Sequence, residues 1–217
     1  KRKLARTSRA AQPALLGGER GGILIPGFDL GNSPREYDRQ TVGGRTIAFT
    51  TTNGTAALQH ASGAQFVLVA CLANVQAIVK AALTAATRNG RRARRTPLSI
   101  HILCAGTRRT VTMEDCLIGG LIASRLAKRG CDLDGGQLLP HGDDTARLCA
   151  NLADRIESEK SLQAWLHALQ ASRGGRNLAR VGLGSDVADC AKVDSLSVVP
   201  RYHRKTASRP AVITLMP

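Results

Sequence analysis

One pattern recurs along the chain and limits its fold more than any other: a short β-rich run, a polar joint and the start of a helix. It occupies residues 46–61, 65–86 and 98–129. Alternation of this kind predicts βα units, in which helices cover a mainly parallel sheet. We therefore predict an α/β fold, a three-layer sandwich with a mainly parallel or mixed sheet. The 217 residues suffice for a single domain over 1–217 or for two intimate subdomains.

The residue pattern also predicts the individual elements. Strands are expected at 46–50, 65–71 and 98–104, and again in the tail at 196–199 and 211–215. Helices are expected at 56–61, from 75 until Asn89 and Gly90 end it, and at 113–129, 144–157 and 161–172. Asn74 is expected to cap the second helix, and Thr112 with Asp115 resembles a capping box at the start of the third. Aromatic residues make up only 3% of the chain, so the core must come from Ala, Val, Leu and Ile.

The chain is strongly basic, with a formal net charge of +15. Most of this charge is arginine, which favours planar contacts with phosphates and carboxylates. Nucleic acid, an anionic membrane and a small polyanionic substrate would each suit it. The densest run, Arg88–Arg95, is expected to be an exposed loop. Because few aromatic side chains are available to stack on bases, nucleic acid ranks second as a partner.

Two features bear on the compartment of the protein. The six cysteines include no Cys-x-x-Cys pair and lie mostly in apolar runs, so we interpret them as reduced core residues of a cytoplasmic protein. The longest apolar run, 66–73, is far shorter than the roughly 20 residues that span a bilayer. No membrane partner is therefore expected, and the sequence leaves a homo-oligomer open.

The first joint has the sequence TTNGT, at Thr51, Thr52, Asn53, Gly54 and Thr55. Right-handed crossovers would bring all three joints to one edge of the sheet, where helix N-termini favour anions. The TTNGT joint therefore resembles a phosphate cradle. The alternative is a capped turn whose threonines serve only the backbone, and the sequence leaves both open.

The densest polar segment is 17–37, which holds six glycines and two prolines. We interpret it as a shaped loop without regular structure, of the kind that carries function on a rigid scaffold. Glu19 and Asp29 are hard oxygen ligands suited to Mg²⁺, while Arg20 and Asn32 could bind oxyanions. The alternative is a surface loop with ordinary salt bridges. Elsewhere the chain lacks a Walker P-loop and a Gly-x-Ser-x-Gly elbow, which excludes two common catalytic designs.

Several segments together resemble the 2-phosphosulfolactate phosphatase family of coenzyme M biosynthesis. They are GGERGG at 17–22, GFDLGNSPREY at 27–37, TTNGTAAL at 51–58, ANVQAI at 73–78, LCAGT and TMEDCLIGG within 103–120, and GSDVADCAKVDSLSVVP at 184–200. The family also has an N-terminal strand with an Asp-Val-Leu-Arg-Ala-type motif. Because the sequence begins at Lys1 without that motif, we expect it to lack the family's N-terminal strand and helix.

The resemblance implies a Mg²⁺-dependent hydrolase that converts 2-phospho-3-sulfolactate, a small anionic phosphorylated substrate, to 3-sulfolactate and phosphate. In this hypothesis Glu19, with Asp115 or Asp29, forms the catalytic and metal-binding set. Substrate oxyanions are bound by Thr51, Thr52, Asn53, Gly54 and Thr55, by Arg20, Asn32 and Ser33, and by Gly106 and Thr107.

Competing interpretations remain for particular residues and for the whole chain. Asp115 could be a helix cap instead of a ligand. Cys104 could be a nucleophile, although a buried core thiol is the better interpretation. A nucleic-acid-binding module, or a non-catalytic protein that binds anions through its basic surface, is the alternative to an enzyme.

Overall fold

The computed structural model describes residues 13–92, 99–130 and 144–216, and within them it combines helices with strands. The strands are β1 (Leu15–Arg20), β2 (Ile23–Leu24), β3 (Ile47–Thr50), β4 (Val67–Leu68), β5 (Pro200–His203) and β6 (Val212–Leu215). The helices are α1 (Arg39–Val42), α2 (Gly54–His60), α3 (Val75–Arg92), α4 (Met113–Ala127), α5 (Asp144–Ser158), α6 (Leu162–Ala171), α7 (Arg173–Arg180) and α8 (Asp186–Cys190). The predicted α/β class is confirmed, whereas the three-layer arrangement and the subdomains stay predictions.

The strands of the described residues form two small sheets. In the first, of order β2-β1-β3, β1 runs parallel to β3 and antiparallel to β2. The second has the order β4-β5-β6 and is antiparallel. The prediction that β4 extends a parallel sheet is therefore wrong, because the tail strand β5 supplies its neighbour instead. That tail strand begins at Pro200, just after the predicted 196–199.

The run predicted as a third strand, 98–104, is not a strand within its described part, 99–104. Ile100, Ile102 and Leu103 are exposed there. A high β-propensity forms a strand only where a neighbouring strand accepts its hydrogen bonds. In the described residues this run has no such neighbour.

Residues 17–20, interpreted as part of a loop, belong to β1. Gly18 explains the difference. It pairs with Thr50 of β3 and has a φ of +145°, and a Cβ added to it would lie 2.1 Å from the Thr50 carbonyl oxygen. A glycine inside a strand often marks such a close backbone approach. The glycines at the start of the polar segment therefore allow tight strand packing.

Helix α3 continues through Asn89 and Gly90 to Arg92, so the predicted stop is wrong. Residues 88–92 of the predicted arginine-rich loop are helical, and 93–95 lie outside the described residues. Glycine inside a helix costs only about 1 kcal/mol relative to alanine, which the surrounding helix-forming residues can offset. Asn74 lies in a 3₁₀ turn before this helix, accepts the Cys71 N–H at 2.9 Å and donates to Val198 O at 3.2 Å. Its side chain thus joins the helix start to the tail.

The core lies among α3, α4, α5 and α6. Val75, Val79, Leu117 and Leu121 are almost fully buried, and Trp165 is the aromatic residue among them. This is the aliphatic core that the composition predicts.

The cysteines differ from prediction, since three of those described are exposed: Cys71, Cys104 and Cys190. None of the described cysteines forms a disulfide.

In the part of the chain that the structure describes, no helix is long and apolar enough to cross a membrane. Helices α5 and α6 lie where the sequence predicts them, within a residue or so at each end. Helix α4 begins at Met113 as predicted and ends just before the predicted 129.

The crossing of α4 and α5 depends on Gly120 and yields a stability prediction. A Cβ at Gly120 would lie 2.0 Å from the Cys149 carbonyl oxygen, whereas a Cβ at Gly119 would meet only side chains, the nearest being Cys104 Sγ at 3.2 Å. We expect Gly120→Ala to lower the unfolding free energy by about 1–3 kcal/mol through overpacking. Gly119→Ala is the matched control, and we expect it to be neutral or stabilising. Urea unfolding of both variants measures the difference, and equal stabilities would contradict this account.

Candidate active site

The candidate site lies at the carboxyl ends of β1 and β3. These parallel strands finish side by side at Arg20 and Thr50, and Arg20 Nη2 lies 3.4 Å from Thr50 Oγ1. Loops that follow the carboxyl ends of parallel strands are the usual ligand-binding positions of open α/β sheets. Here those loops are the glycine turn at 21–22 and the TTNGT joint, 51–55.

Glu19 connects the two loops. Its carboxylate accepts hydrogen bonds from Thr52 N at 2.6 Å, Gly22 N at 2.8 Å and Thr52 Oγ1 at 3.1 Å. Burial by itself raises the pKa of this carboxyl, but the three hydrogen bonds and the charge of Arg20 outweigh it and hold the pKa below its ordinary value. Glu19 is therefore an ionised carboxylate that orders the backbone at the end of β1.

The threonines of the TTNGT joint have different partners. Thr52 binds Glu19, and Thr55 Oγ1 donates to Thr51 O at 3.0 Å. The Thr51 hydroxyl is buried and has no hydrogen-bond partner within 13–92, 99–130 and 144–216. A buried hydroxyl without a partner is costly and suggests a missing acceptor. The capped-turn interpretation thus accounts for Thr55 but not for Thr51.

A second loop reaches the joint from the start of α4. Thr107 and Thr110 pair through two backbone hydrogen bonds, and we call residues Thr107–Thr110 the TRRT turn. Arg108 N donates to Asn53 Oδ1 at 3.3 Å. The Asn53 side chain therefore joins the TTNGT joint to the TRRT turn, while it makes no capping bond to its own helix.

Asp115 anchors the other end of this loop. Its Oδ2 accepts hydrogen bonds from Gly106 N and Thr112 Oγ1, both at 2.7 Å. The capping-box interpretation is therefore wrong in detail, because the Thr112 hydroxyl donates to the carboxylate and caps no backbone N–H. Asp115 holds Gly106, which has a φ of +65°, against the start of α4.

The second half of the polar segment turns away from this cluster. Asp29 Oδ2 accepts the N–H of Leu16, three residues before Glu19 and so about 10 Å back along the strand. Ser33 is buried and caps the short turn 34–36. Arg35 forms an ion pair of 2.7 Å with Asp189 of α8. Asn32 is exposed and makes no hydrogen bond among the described residues. Neither Asn32 nor Ser33 therefore forms a hydrogen bond with the TTNGT joint.

The acidic side chains of the described residues do not form a ready-made metal site. Within 13–92, 99–130 and 144–216, no group of three or more His, Cys, Asp or Glu side chains is placed to hold a metal ion. Both Glu19 oxygens already accept hydrogen bonds, whereas only Oδ2 of Asp115 does so. Mg²⁺ commonly uses one or two carboxylates together with substrate phosphate. Asp115 therefore fits such a role better than Glu19, and Asp29 lies away from both, against Leu16 of β1.

Cys104 is exposed, although its thiol rests against α4. The thiol donates to Asp115 O at 3.5 Å. Burial of the sulfur, followed by the charges of Asp115 and Cys116, raises the pKa of this thiol to about 11. A thiol with that pKa is protonated at neutral pH, which disfavours it as a nucleophile.

Sequence reasoning missed Arg173 at the start of α7. Its Nη1 donates to Thr110 Oγ1 at 2.9 Å, across 63 residues of sequence. Glu114, which precedes Asp115, was also overlooked; its Oε2 is buried and has no hydrogen-bond partner among the described residues. No local pattern could have related Arg173 to the TRRT turn, because the contact is purely tertiary.

The hydrogen bonds of Glu19 predict a pH-dependent stability. The amide of Glu19→Gln cannot accept all three bonds, so we expect its unfolding free energy to be about 1–3 kcal/mol lower near neutral pH. Because the folded pKa lies below the ordinary value of 4.5, the wild-type advantage exists above that value and is lost as pH falls through the folded pKa.

Denaturant unfolding of both proteins between pH 3 and 7 measures this effect, with the exposed Glu159→Gln as control. The wild-type and Glu19→Gln stabilities should converge at the acid end. A constant difference across the range would show that the ionised carboxylate is not the stabilising species.

Comparison with known proteins identifies the family of the chain. The family model for 2-phosphosulpholactate phosphatase matches residues 2–205. A probable 2-phosphosulfolactate phosphatase of Deinococcus radiodurans is 38% identical over 205 residues, which cover 91% of this chain and 75% of the relative. The protein of the same name from Symbiobacterium thermophilum is 35% identical, over 87% of this chain and 71% of its own. The one from Carboxydothermus hydrogenoformans is 35% identical, over 88% and 68%. The chain therefore belongs to the 2-phosphosulpholactate phosphatase family, whose name denotes a phosphoric monoester hydrolase.

Proposed function

We propose that this protein is a Mg²⁺-dependent phosphatase that hydrolyses the phosphate monoester of a small 2-hydroxy acid. Its foremost substrate is 2-phospho-3-sulfolactate, which yields 3-sulfolactate and phosphate for coenzyme M synthesis in the cytoplasm. One observation carries the proposal: Glu19 and Asn53 connect the end of β1, the TTNGT joint and the TRRT turn into a single cluster.

The cluster supplies groups suited to a phosphate. The Thr51 hydroxyl has a proton to donate and no partner among the residues that the structure describes. Arg20 lies beside Thr50 at the strand ends, with its Nη1 donating to Glu19 O at 2.6 Å. A guanidinium fixed in this way can neutralise charge on the phosphoryl oxygens as the P–O bond breaks.

In this proposal Asp115 would be a ligand of the metal ion, and Glu19 and Asp29 remain further candidate ligands. When bound, Mg²⁺ neutralises phosphate charge and lowers the pKa of a coordinated water. The residues of this chain bind and orient the substrate: Thr51 and Arg20 at the phosphate, and Gly106 and Thr107 beside it. Because the Cys104 thiol is protonated at neutral pH, the proposal takes water as the attacking group.

Phosphate release tests the reaction. We expect the protein to release phosphate from 2-phosphosulfolactate with Mg²⁺ and not with EDTA, and to act less well on 2-phospholactate and 2-phosphoglycolate. Phosphate release from the latter two compounds alone would support the phosphatase reaction but reject 2-phosphosulfolactate as its substrate. If no compound is hydrolysed, and binding to an oligonucleotide weakens steeply with salt, the nucleic-acid alternative replaces the proposal.

The Thr51 hydroxyl allows a sharper prediction. Thr51→Val removes a hydroxyl that has no partner in the described part of the chain, so we expect stability to be unchanged or higher. We expect kcat/KM for 2-phosphosulfolactate to fall about tenfold or more, since a hydrogen bond to a charged group is lost. Thr46→Val, at an exposed position just before β3, is the matched control. Equal activities of the two variants would remove Thr51 from the site.

A further inference from the structure

The TRRT turn has an unusual backbone for its sequence. Its hydrogen bonds run from Thr107 N to Thr110 O at 3.1 Å and from Thr110 N to Thr107 O at 3.0 Å. Arg108 and Arg109, between them, have φ values of +52° and +63°. A two-residue turn with both central residues at positive φ strongly prefers Asn-Gly or Asp-Gly. Two arginines in that position are strained, and such strain tends to persist at functional sites.

The charges on this turn lack partners. Arg108 and Arg109 are exposed, and neither guanidinium makes a hydrogen bond or an ion pair within the described residues. Arg173 adds a third cation, with its Nη1 on Thr110 Oγ1 at 2.9 Å. Of the nearby acidic groups, Asp115 is bound to Gly106 N, and Glu114 lies against Gly174 and forms no ion pair among the described residues.

The turn is held in a fixed position beside the TTNGT joint. Asn53 Oδ1 accepts the Arg108 N–H at 3.3 Å, Asp115 accepts the Gly106 N–H, and Arg173 binds Thr110. These contacts come from three separate parts of the chain. The turn therefore presents its arginines from a braced backbone next to the groups that suit a phosphate.

We infer that the TRRT turn is a second anion subsite, at which Arg108 and Arg109, supported by Arg173, bind an acid group of the substrate other than its phosphate, either the carboxylate or the sulfonate. Planar guanidinium groups match the paired oxygens of carboxylates and sulfonates. The inference rests on the proposed function and gives it a determinant of specificity: a substrate with a second acid group is preferred over a simple phosphate ester.

A turn-preserving substitution tests the subsite. Arg108→Asn with Arg109→Gly installs the pair that this turn prefers and removes both charges. We expect its melting temperature to equal or exceed that of wild type. We expect kcat/KM to fall about tenfold or more for 2-phosphosulfolactate, and less than about twofold for phenyl phosphate, which has no second acid group. A larger loss on 2-phosphosulfolactate than on 2-phospholactate identifies the sulfonate as the ligand, and equal losses identify the carboxylate.

The control is Arg155→Gln with Arg180→Gln, which removes the same charge from exposed positions on α5 and α7. Equal losses on all three substrates, or losses matched by the control, would overturn the inference while the proposed function survived. If wild type hydrolyses none of them, the proposed function fails on its own. Calorimetry with 3-sulfolactate and with inorganic phosphate then tests the subsite. We expect the turn variant to lose affinity for 3-sulfolactate only. Unchanged affinity of the variant for 3-sulfolactate, or no binding of 3-sulfolactate by wild type, would overturn the inference.

Discussion

The carboxylate of Glu19 has the largest number of hydrogen bonds in the candidate site, and the arrangement of the surrounding loops depends on it. Its partners are Thr52 and Gly22, which follow two different strands. Both loops would otherwise leave backbone N–H groups without acceptors at a partly buried position. A single ionised group thus satisfies the ends of β1 and β3 and brings the TTNGT joint to the glycine turn. An unpaired N–H inside the protein is costly. Loss of the Glu19 carboxylate would therefore destabilise the fold by more than the net free energy of its hydrogen bonds.

The helical half of the molecule supports the other side of the site. Helix α4 packs closely on α5 at Gly120 and begins beside the TRRT turn. Asp115, on its first turn, fixes Gly106, and Arg173 at the start of α7 fixes Thr110. The buried aliphatic core thereby holds the loop that approaches the TTNGT joint from the opposite direction. Asn53 joins the two halves of the candidate site by accepting the Arg108 N–H.

Prediction from sequence succeeded where structure is local. The periodicity of α5 and α6 marked both helices, and the motif around Thr112 marked the start of α4. It failed where the outcome depends on a distant neighbour. Residues 99–104 have the composition of a strand but no partner in the described residues, and β4 pairs with β5 from the tail. At Gly18 the same limit appears, since only the approach of β3 explains why a glycine stands inside a strand.

The features of the candidate site likewise divide into those that local sequence patterns predict and those that only tertiary contacts decide. The sequence by itself determined the family, the TTNGT joint and the presence of Glu19 and Asp115, because motifs and capping patterns extend over only a few residues. Tertiary structure decided that Glu19 faces Thr52, that Asp29 lies back along β1, and that Arg173 braces the TRRT turn. These outcomes depend on contacts between residues far apart in the chain. Their free energies come from packing and from satisfying buried polar groups, which no short stretch of sequence specifies.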